Sequence, residues 1–232
     1  MKLEERSYSS KSLRPRPTIY AEPDGSLLIV TTSWGDPGLA SKVNEDIAKY
    51  VQAAAADVEV TSPFEFVTCL TDEANYLRVA TLICNESLYR SDNRGEYAAG
   101  LETLILYRKE NKVAYAQVGA PNLLLEKPGS GLAPISANCD TGFELGSQLE
   151  GSEMAPLPRE LLGIDSNLNI RCGDFRITAG DRLFLYSGIF WTDTLWKGAA
   201  SGSLLPQVTQ NIVRKNPDSP FWIGIVSFES VF

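Results

Sequence analysis

Hydrophobic residues along this chain recur with two different periods, and each period predicts a different kind of element. Alternation of apolar and polar positions predicts strands at residues 64–70, 100–106, 112–125, 182–188 and 221–226. Two shorter strands, at residues 18–20 and 27–32, are predicted to flank a turn at 22–25 that contains Pro, Asp and Gly in a row. These segments predict the β-sheet part of the fold.

Other segments have the spacing of helices. Apolar residues recur every four positions from Leu39 to Val51 and run into four consecutive alanines, which predicts a first helix. A second helix is predicted over residues 72–90, with Asp72 as its N-cap, and a third, short and amphipathic, over residues 204–213. The helices are therefore expected both between the strands and late in the chain.

The order of these elements predicts an α+β fold, an α-β-β-α sandwich in which two antiparallel sheets pack face to face with helices outside. Residues 1–17 are polar and basic, with two prolines near their end, and are predicted to form a flexible N-terminal arm. Residues 18–232 are then expected to form one domain. Within it, residues 127–153 are rich in Gly, Ser and Pro and predict a long surface excursion.

Composition excludes several classes of partner and catalytic site. The 232 residues carry a formal net charge of -8, which argues against nucleic acid or an anionic membrane as the main partner. The chain has no histidine, so Ser-His-Asp and Cys-His catalytic systems and imidazole metal sites are excluded. Its four cysteines lack C-x-x-C spacing, which favours free thiols. No apolar run is long enough for a membrane helix, and we expect a cytoplasmic protein.

The stretch G-D-R-L-F-L-Y-S-G-I-F-W-T-D, which begins at Gly180, contains one of the predicted strands. It resembles the signature G-D-R-L-L-L-C-S-D-G-L-T-D of the metal-dependent protein phosphatase 2C family, the PPM-type serine/threonine phosphatases. In that family the Ser-Asp-Gly triplet supplies a metal-binding aspartate at the end of a central strand. The corresponding residues here are Ser187, Gly188 and Ile189. The resemblance implies that the strand is kept and that its carboxylate is lost.

A second resemblance lies in the first predicted helix. Asn44, Glu45 and Asp46 match the end of the family signature Gly-x-x-Arg-x-x-Asn-Glu-Asp, which supplies a phosphate-binding arginine and a metal-site aspartate from a strand. Ser41 takes the arginine position. The resemblance therefore places Asp46 at a metal-site position, whereas the helical period favours a solvated acidic helix face.

Two further family motifs align with the chain in the same order. The family's F-x-V-x-D-G-M-G-G carries the aspartate that bridges both metal ions and a glycine that offers its carbonyl. Aligned on the predicted strand at 64–70, it places Cys69 and Leu70 at those two positions. The last metal aspartate of the family, in Asp-Asn-x-Thr before the final strand, corresponds to Asp218.

These substitutions bear directly on catalysis. A binuclear phosphatase needs two divalent ions held mostly by carboxylates, and neither a thiol nor a glycine side chain replaces a carboxylate for Mg²⁺ or Mn²⁺. Asp46 and Asp218 are too few to hold two ions. We therefore expect a phosphatase 2C-like pseudophosphatase, without catalytic residues, metal ligands or cofactor, that binds a protein partner in signalling.

Two alternatives stay open. An active metal-dependent serine/threonine phosphatase with a displaced or reduced site would use Mn²⁺ or Mg²⁺ and carboxylates such as Glu65, Asp72, Glu73 or Glu96. A cysteine-dependent enzyme would use Cys69, although no basic neighbour in the sequence favours a low thiol pKa there.

Three large aromatic residues suggest where a partner binds. Phe190, Trp191 and Trp196 follow the altered Ser-Asp-Gly triplet, at the edge where the resemblance implies an active site. Large aromatic side chains at a rim are typical anchors of protein interfaces. The same residues would also fit as core that covers the sheet.

Overall fold

The computed structural model of the chain describes residues 1–9, 13–56, 63–138, 140–142, 156–188, 205–215 and 217–228. The chain forms two compact units, each assembled from separate stretches of sequence. The first contains Met1–Arg16, Ala120–Arg159 and Thr178–Phe232, and the second contains Pro17–Gly119 and Glu160–Ile177. The single domain predicted for residues 18–232 stays a prediction.

The first unit is built on a five-stranded antiparallel sheet. Its strands are β1 (Lys2–Tyr8), β6 (Asn122–Glu126), β7 (Leu132–Ser136), β9 (Arg182–Gly188) and β10 (Phe221–Ser227). The strand order is β1-β10-β9-β6-β7, so β9 lies at the centre with β10 and β6 as its neighbours. A helix, α3 (Leu205–Lys215), buries its apolar side in a cluster with Phe184, Tyr186 and Phe221 of this sheet.

The second unit is built on another five-stranded antiparallel sheet. Its strands are β2 (Thr18–Ala21), β3 (Leu27–Gly35), β4 (Ala99–Lys109), β5 (Lys112–Val118) and β8 (Arg171–Arg176), in the order β2-β3-β4-β5-β8. Two helices belong to this unit, α1 (Gly38–Ala56) and α2 (Asp72–Ser87), and α2 continues into a π-helical turn, Leu88–Asp92. None of the helices described is both long and apolar enough to cross a membrane.

One face of this second sheet packs against α1 and α2. Ile29 of β3 and Leu101 of β4 are fully buried in one cluster with Ile47 of α1 and Leu77 of α2. Burying a side chain of this size stabilises the fold by about 1.5–3 kcal/mol. The four-residue spacing that predicted the first helix is therefore the spacing of its buried face.

The predicted fold class is confirmed as two antiparallel sheets flanked by helices. The predicted hairpin at 18–32 is β2 and β3, and the predicted helices appear as α1, α2 and α3. The strand predictions at 100–106, 182–188 and 221–226 are also confirmed, as β4, β9 and β10.

The strand predicted at residues 64–70 is wrong. Residues 63–71 form turns and irregular backbone that precede α2. The backbone of Val67 bonds to a side chain instead of a neighbouring strand: Val67 N donates to Asn75 Oδ1 at 2.8 Å, and Asn75 Nδ2 donates to Val67 O at 3.1 Å. The prediction of Asp72 as the N-cap is also wrong. Thr71 caps the helix, because its Oγ1 accepts a hydrogen bond from Ala74 N.

Three other segments also differ from their predictions. Most of the predicted flexible arm is a strand, because Lys2–Tyr8 pairs in antiparallel register with β10. The strand predicted at 112–125 is two strands in different sheets, β5 and β6, separated at Gly119, which has a φ of 66°. The predicted excursion at 127–153 contains β7, since residues 132–136 pair with β6.

Buried polar groups attach α1 to this second sheet. Asn44 is 1% exposed, and its Oδ1 accepts a hydrogen bond from Thr31 Oγ1 at 2.6 Å. Its Nδ2 donates to Thr18 O at 3.2 Å, and Thr31 Oγ1 lies 2.8 Å from Thr103 Oγ1. Asn44 thus connects the helix to β2 and β3 and, through Thr31, to β4.

Replacing Asn44 with Ala should lower the free energy of unfolding by about 2–3 kcal/mol, because buried hydrogen-bonding groups on Thr31 and Thr18 would lose their partner. Asp46→Asn is the matched control on the exposed side of the same helix and should change that free energy by less than about 0.5 kcal/mol. Chemical denaturation measures both values. An equal or larger loss for Asp46→Asn would contradict this assignment.

Candidate functional site

The end of strand β9 carries the residue that the family resemblance aligns with a metal-binding aspartate. Gly188 ends the strand, and an ideal Cβ built on it would lie 2.4 Å from Tyr186 Oη and 2.6 Å from Tyr186 Cζ. Real Cβ atoms do not approach other atoms this closely. Residues two apart on a strand share a face, so the phenol of Tyr186 extends along the strand into the space beside residue 188. A side chain at position 188 would therefore require the buried phenol to move.

Tyr186 is held in this position by its surroundings. It is 2% exposed, and its ring centroid lies 6.2 Å from that of Phe221 on the neighbouring strand. Burial raises the pKa of the Tyr186 phenol above its usual range, although the nearby positive charge of Arg14 opposes the shift. The phenol is thus a neutral, packed group.

Arg14 is itself buried, at 6% exposure, and forms an ion pair with Asp140 whose Nη1 to Oδ2 distance is 3.7 Å. Asp140 Oδ1 also accepts hydrogen bonds from the backbone of Gly142 at 2.8 Å and Leu157 at 2.9 Å. Buried charges are tolerated only when they are paired in this way. The end of β9 is therefore filled by the Tyr186 phenol, and a buried Arg14–Asp140 ion pair lies nearby.

The junction between β3 and α1 is the corresponding feature of the second unit. Thr32 is fully buried, and its Oγ1 has no hydrogen-bond partner among the residues that the structure describes. Ser33 Oγ donates to Asp36 O at 2.6 Å, and Asp36 Oδ1 accepts from Gly38 N at 2.8 Å. These bonds shape the turn that leads into the helix.

A buried carboxylate lies on the strand beside this junction. Thr32 pairs directly with Glu102 of β4, and Glu102 is 1% exposed. Trp34 Nε1 donates to Glu102 Oε2 at 2.9 Å. A Cβ on Gly119 would meet the Glu102 side chain at 2.7 Å, so glycine at 119 leaves the room that Glu102 occupies. The carboxylate beside Thr32 therefore belongs to Glu102, and it is bound to Trp34.

The residues predicted for the metal site occupy different places. Asp46 lies in the exposed face of α1, with Oδ1 3.9 Å from Lys49 Nζ, so it belongs to a solvated helix rather than a strand. Cys69 is exposed and Leu70 is half-buried in the turn before α2. Gly188 ends β9 as predicted, and Asp218 is exposed in the turn before β10.

Some predicted residues lie outside the described part of the chain. These are Ile189 and the three proposed partner-binding aromatics, Phe190, Trp191 and Trp196. Ser41, the residue aligned with the phosphate-binding arginine, is exposed in α1.

The acidic residues considered for a displaced site do not converge. Glu73 Oε1 accepts a hydrogen bond from Lys109 Nζ at 2.7 Å, and the pKa of Glu73 is lowered by this bond although desolvation opposes the shift. In the ranges that the structure describes, no group of three or more Cys, Asp or Glu side chains is arranged to hold a metal ion. Among the thiols, burial raises the pKa of Cys84 to about 12, which makes it unreactive at neutral pH.

Comparison with known proteins identifies the fold. No protein-family model matches the chain, and no curated protein matches it in sequence. Solved structures match over nearly its whole length. A bacterial serine phosphatase has 14% identity and a TM-score of 0.66, with 100% of both chains covered. Stp1 from Staphylococcus aureus has 15% identity and a TM-score of 0.65, covering 99% of this chain and 95% of that one.

A third match is PppA, described as a key regulatory component of T6SS in Pseudomonas aeruginosa. It has 17% identity and a TM-score of 0.59, covering 98% of this chain and 99% of that chain. At these identities the likeness concerns the fold. The chain has the fold of the PPM-type, or phosphatase 2C-like, serine/threonine phosphatases, as its motifs implied.

With the fold known, the motif F-x-V-x-D-G-M-G-G has a better alignment than the one at 64–70. It describes a strand that leads into a helix, and β3 leads into α1 whereas no strand precedes α2. Residues 28–36 read L-I-V-T-T-S-W-G-D, so Val30 and Gly35 coincide with the motif. In this alignment Thr32 stands opposite the aspartate of the motif and Ser33 opposite the following glycine. Both matching residues are visible in the sequence, but the alternation at 64–70 favoured the other alignment.

The steric relation between positions 186 and 188 is testable. Gly188→Asp alone should lower the free energy of unfolding by about 2–3 kcal/mol, because the new side chain overlaps the Tyr186 phenol. Tyr186→Cys alone should cost about 3–4 kcal/mol by leaving a cavity. The double variant should lose less than the sum, with an interaction energy of about 1–3 kcal/mol.

Equilibrium denaturation of the wild type and three variants measures this cycle. Gly224→Asp is not a suitable control, since a Cβ there meets Trp222 and Leu3. Gly95→Asp is suitable, because nothing lies within 4 Å of a Cβ at that position. Additive losses at 186 and 188 would show that the two side chains do not compete for one space.

Proposed function

We propose that this chain is a non-catalytic protein with the fold of PPM-type phosphatases, and that it acts by binding a protein partner. The observation that carries the proposal is the exclusion of a side chain at Gly188 by the phenol of Tyr186. Tyr186 stands where the family signature has cysteine, and Gly188 where it has the metal-binding aspartate. The larger residue fills the space beside the position of the lost carboxylate.

The residues present do not fit a binuclear metal site. Thr32 offers a neutral hydroxyl at the position of the bridging aspartate, and Gly188 offers no side chain. Of the aligned metal positions, Asp46 and Asp218 carry carboxylates, and Asp46 lies on the exposed face of α1. Because two close divalent ions need several carboxylates to balance their charge, this set is insufficient for the hydrolytic chemistry of the family.

The family signature Arg-x-x-Asn-Glu-Asp can also be aligned with the residues that lead into β2. Arg14-Pro15-Arg16-Pro17-Thr18-Ile19 has the spacing of Arg-x-x-Asn-Glu-Asp and leads into β2, which carries no carboxylate. Arg14 then takes the position of the phosphate-binding arginine. Its guanidinium is buried against Asp140, so an internal carboxylate occupies the kind of contact that a phosphate would make.

Loss of catalysis leaves the fold available for recognition. PppA is described as a regulatory component, and a regulatory role through binding is what we infer for this chain. A net charge of -8 favours a protein over nucleic acid as the partner. We also propose a cytoplasmic location, as expected from the sequence.

The proposal predicts the behaviour of the purified wild-type protein. It should show no Mn²⁺- or Mg²⁺-dependent hydrolysis of a phosphoserine peptide or an aryl phosphate above background. Its melting temperature should not rise in millimolar Mn²⁺, because only a ligand that binds the native state stabilises it. Metal-dependent turnover, or a rise of several degrees, would contradict the proposal.

Restoring the lost groups tests whether their absence is the cause. A variant with Thr32→Asp, Ser33→Gly, Tyr186→Cys and Gly188→Asp should be less stable in chelator than the wild type, because position 32 is fully buried and an unpaired carboxylate there is costly. Saturating Mn²⁺ should raise its melting temperature by about 5–10 °C. Differential scanning calorimetry with and without metal measures the shift.

A matched variant tests the alignment. It carries Cys69→Asp and Leu70→Gly in place of the changes at 32 and 33, and keeps the changes at 186 and 188. This variant should gain no Mn²⁺-dependent stabilisation, because Cys69 lies in a turn rather than at a strand end. Stabilisation of this variant alone would restore the alignment at 64–70.

A further inference from the structure

A surface pocket at the end of α2 has the composition of a protein-recognition site. It has a volume of about 410 Å³ and is lined by Tyr89, Arg90, Asn93, Arg94 and Tyr97. All five residues belong to the second unit, in the π-helical turn and the loop that follows it. We call this feature the Tyr89–Tyr97 pocket.

The backbone that carries the pocket is fixed by one buried side chain. Asn93 is 6% exposed, and its Nδ2 donates to Ala99 O at 2.9 Å and to Gly163 O at 2.7 Å. Its Oδ1 accepts from the backbone of Ala98 at 2.8 Å and Ala99 at 3.3 Å. Leu88, at the start of the π-helical turn, is 1% exposed. The loop is therefore anchored on both sides of the pocket, and a fixed surface loses less entropy on binding.

The side chains that project from this fixed backbone are exposed. Tyr97 is 69% exposed and Tyr89 is 40% exposed, and both are among the few large apolar side chains described on the surface. Tyr and Arg are the residues most enriched where interfaces are strongest, because they combine apolar area with hydrogen-bonding groups.

The two charged residues in the described lining of the pocket are both arginines. Arg90 Nη2 lies 2.8 Å from Glu86 Oε1 in an exposed pair one helical turn away. Arg94 is exposed and has no ion-pair partner among the residues described. The nearby Asp92 is already paired with Lys42 at 3.0 Å, and no acidic side chain lines the pocket. Arg94 is thus the lining cation left for a ligand, while Glu86, Asp92 and Glu96 are neighbours in sequence that do not belong to the described lining.

We propose that the Tyr89–Tyr97 pocket docks an acidic segment of a protein partner. Carboxylates of the segment bind the guanidinium groups of Arg90 and Arg94, and an apolar side chain of the segment packs against the two tyrosines. The guanidinium fork matches a carboxylate in geometry, and the tyrosines supply the apolar area that charge alone lacks. This inference rests on the proposed partner-binding role, whose surface and partner chemistry it names.

The probe is an immobilised library of random peptides, screened with the purified full chain. Bound peptides should be enriched in Asp and Glu together with an apolar or aromatic residue. The tightest acidic peptide is then measured in solution against its Asp→Asn and Glu→Gln counterpart, which should bind at least about tenfold more weakly. Raising the ionic strength should weaken the binding of the acidic peptide, since salt screens the attraction between exposed charges.

Substitutions locate the binding. Arg94→Ala with Tyr97→Ala should reduce affinity for that peptide by at least about tenfold, because a few anchors such as Arg and Tyr carry most of the binding energy of an interface. The matched control is Arg214→Ala with Leu157→Ala, which also removes one exposed arginine and one exposed large apolar side chain, and should bind as the wild type does. Circular dichroism of both variants should be unchanged because all four side chains are exposed.

Other results would overturn the inference. These are a library without acidic enrichment, no bound peptide at all, or binding that survives Arg94→Ala with Tyr97→Ala. A phosphopeptide that binds at this pocket when no carboxylate peptide does would also overturn it, because the ligand would then be phosphate. Failure here leaves the non-catalytic role to the hydrolysis and metal assays, and hydrolysis by the wild type would contradict that role without touching this surface.

Discussion

Buried polar groups must find hydrogen-bond partners, and in the second unit four asparagine side chains supply them for strand ends, a buried hydroxyl and irregular backbone. Asn44 joins α1 to β2 and β3, and Asn75 holds the turn at Val67. Asn85 accepts from Gly163 N at 2.8 Å and donates to Asp165 O at 2.9 Å, and Asn93 binds Ala99 and Gly163. An amide side chain can donate and accept at once, so each asparagine satisfies a carbonyl and an N–H or hydroxyl together.

This bonding explains how irregular segments can be ordered without joining a sheet. The turn before α2 and the loop after it both contact asparagines that project from fixed elements. The same arrangement that stabilises the fold also places Tyr89, Arg90, Arg94 and Tyr97 on a rigid support. Stability and recognition in this unit thus depend on the same few buried amides.

The sequence predicted the regular elements well because their patterns are local. Four-residue spacing is enough to define α1, and alternation is enough to define β9. The error at residues 64–70 has a physical cause: the segment alternates like a strand, but Asn75, eight residues later, takes its backbone bonds. No local pattern reveals a competing partner of this kind. The same holds for β1, whose polar residues become a strand only through pairing with β10 at the other end of the chain.

The candidate site was predictable only in part. The glycine at 188 was visible in the sequence, whereas the Tyr186 phenol beside it required coordinates, because only they show where the phenol lies. The motif that places Cys69 and Leu70 was aligned on residues 64–70, where the structure has no strand. A strand-to-helix order, read from residues 27–56, would have corrected it.

Tyr186 and Gly188 form an epistatic pair, and this restricts how the chain can change. A carboxylate at 188 is excluded while Tyr186 is present, and a small residue at 186 leaves an empty space while Gly188 is present. Each single change is therefore expected to be destabilising by itself. A carboxylate introduced at 188 by single steps would pass through a less stable protein, so the two positions at this strand end resist change one residue at a time.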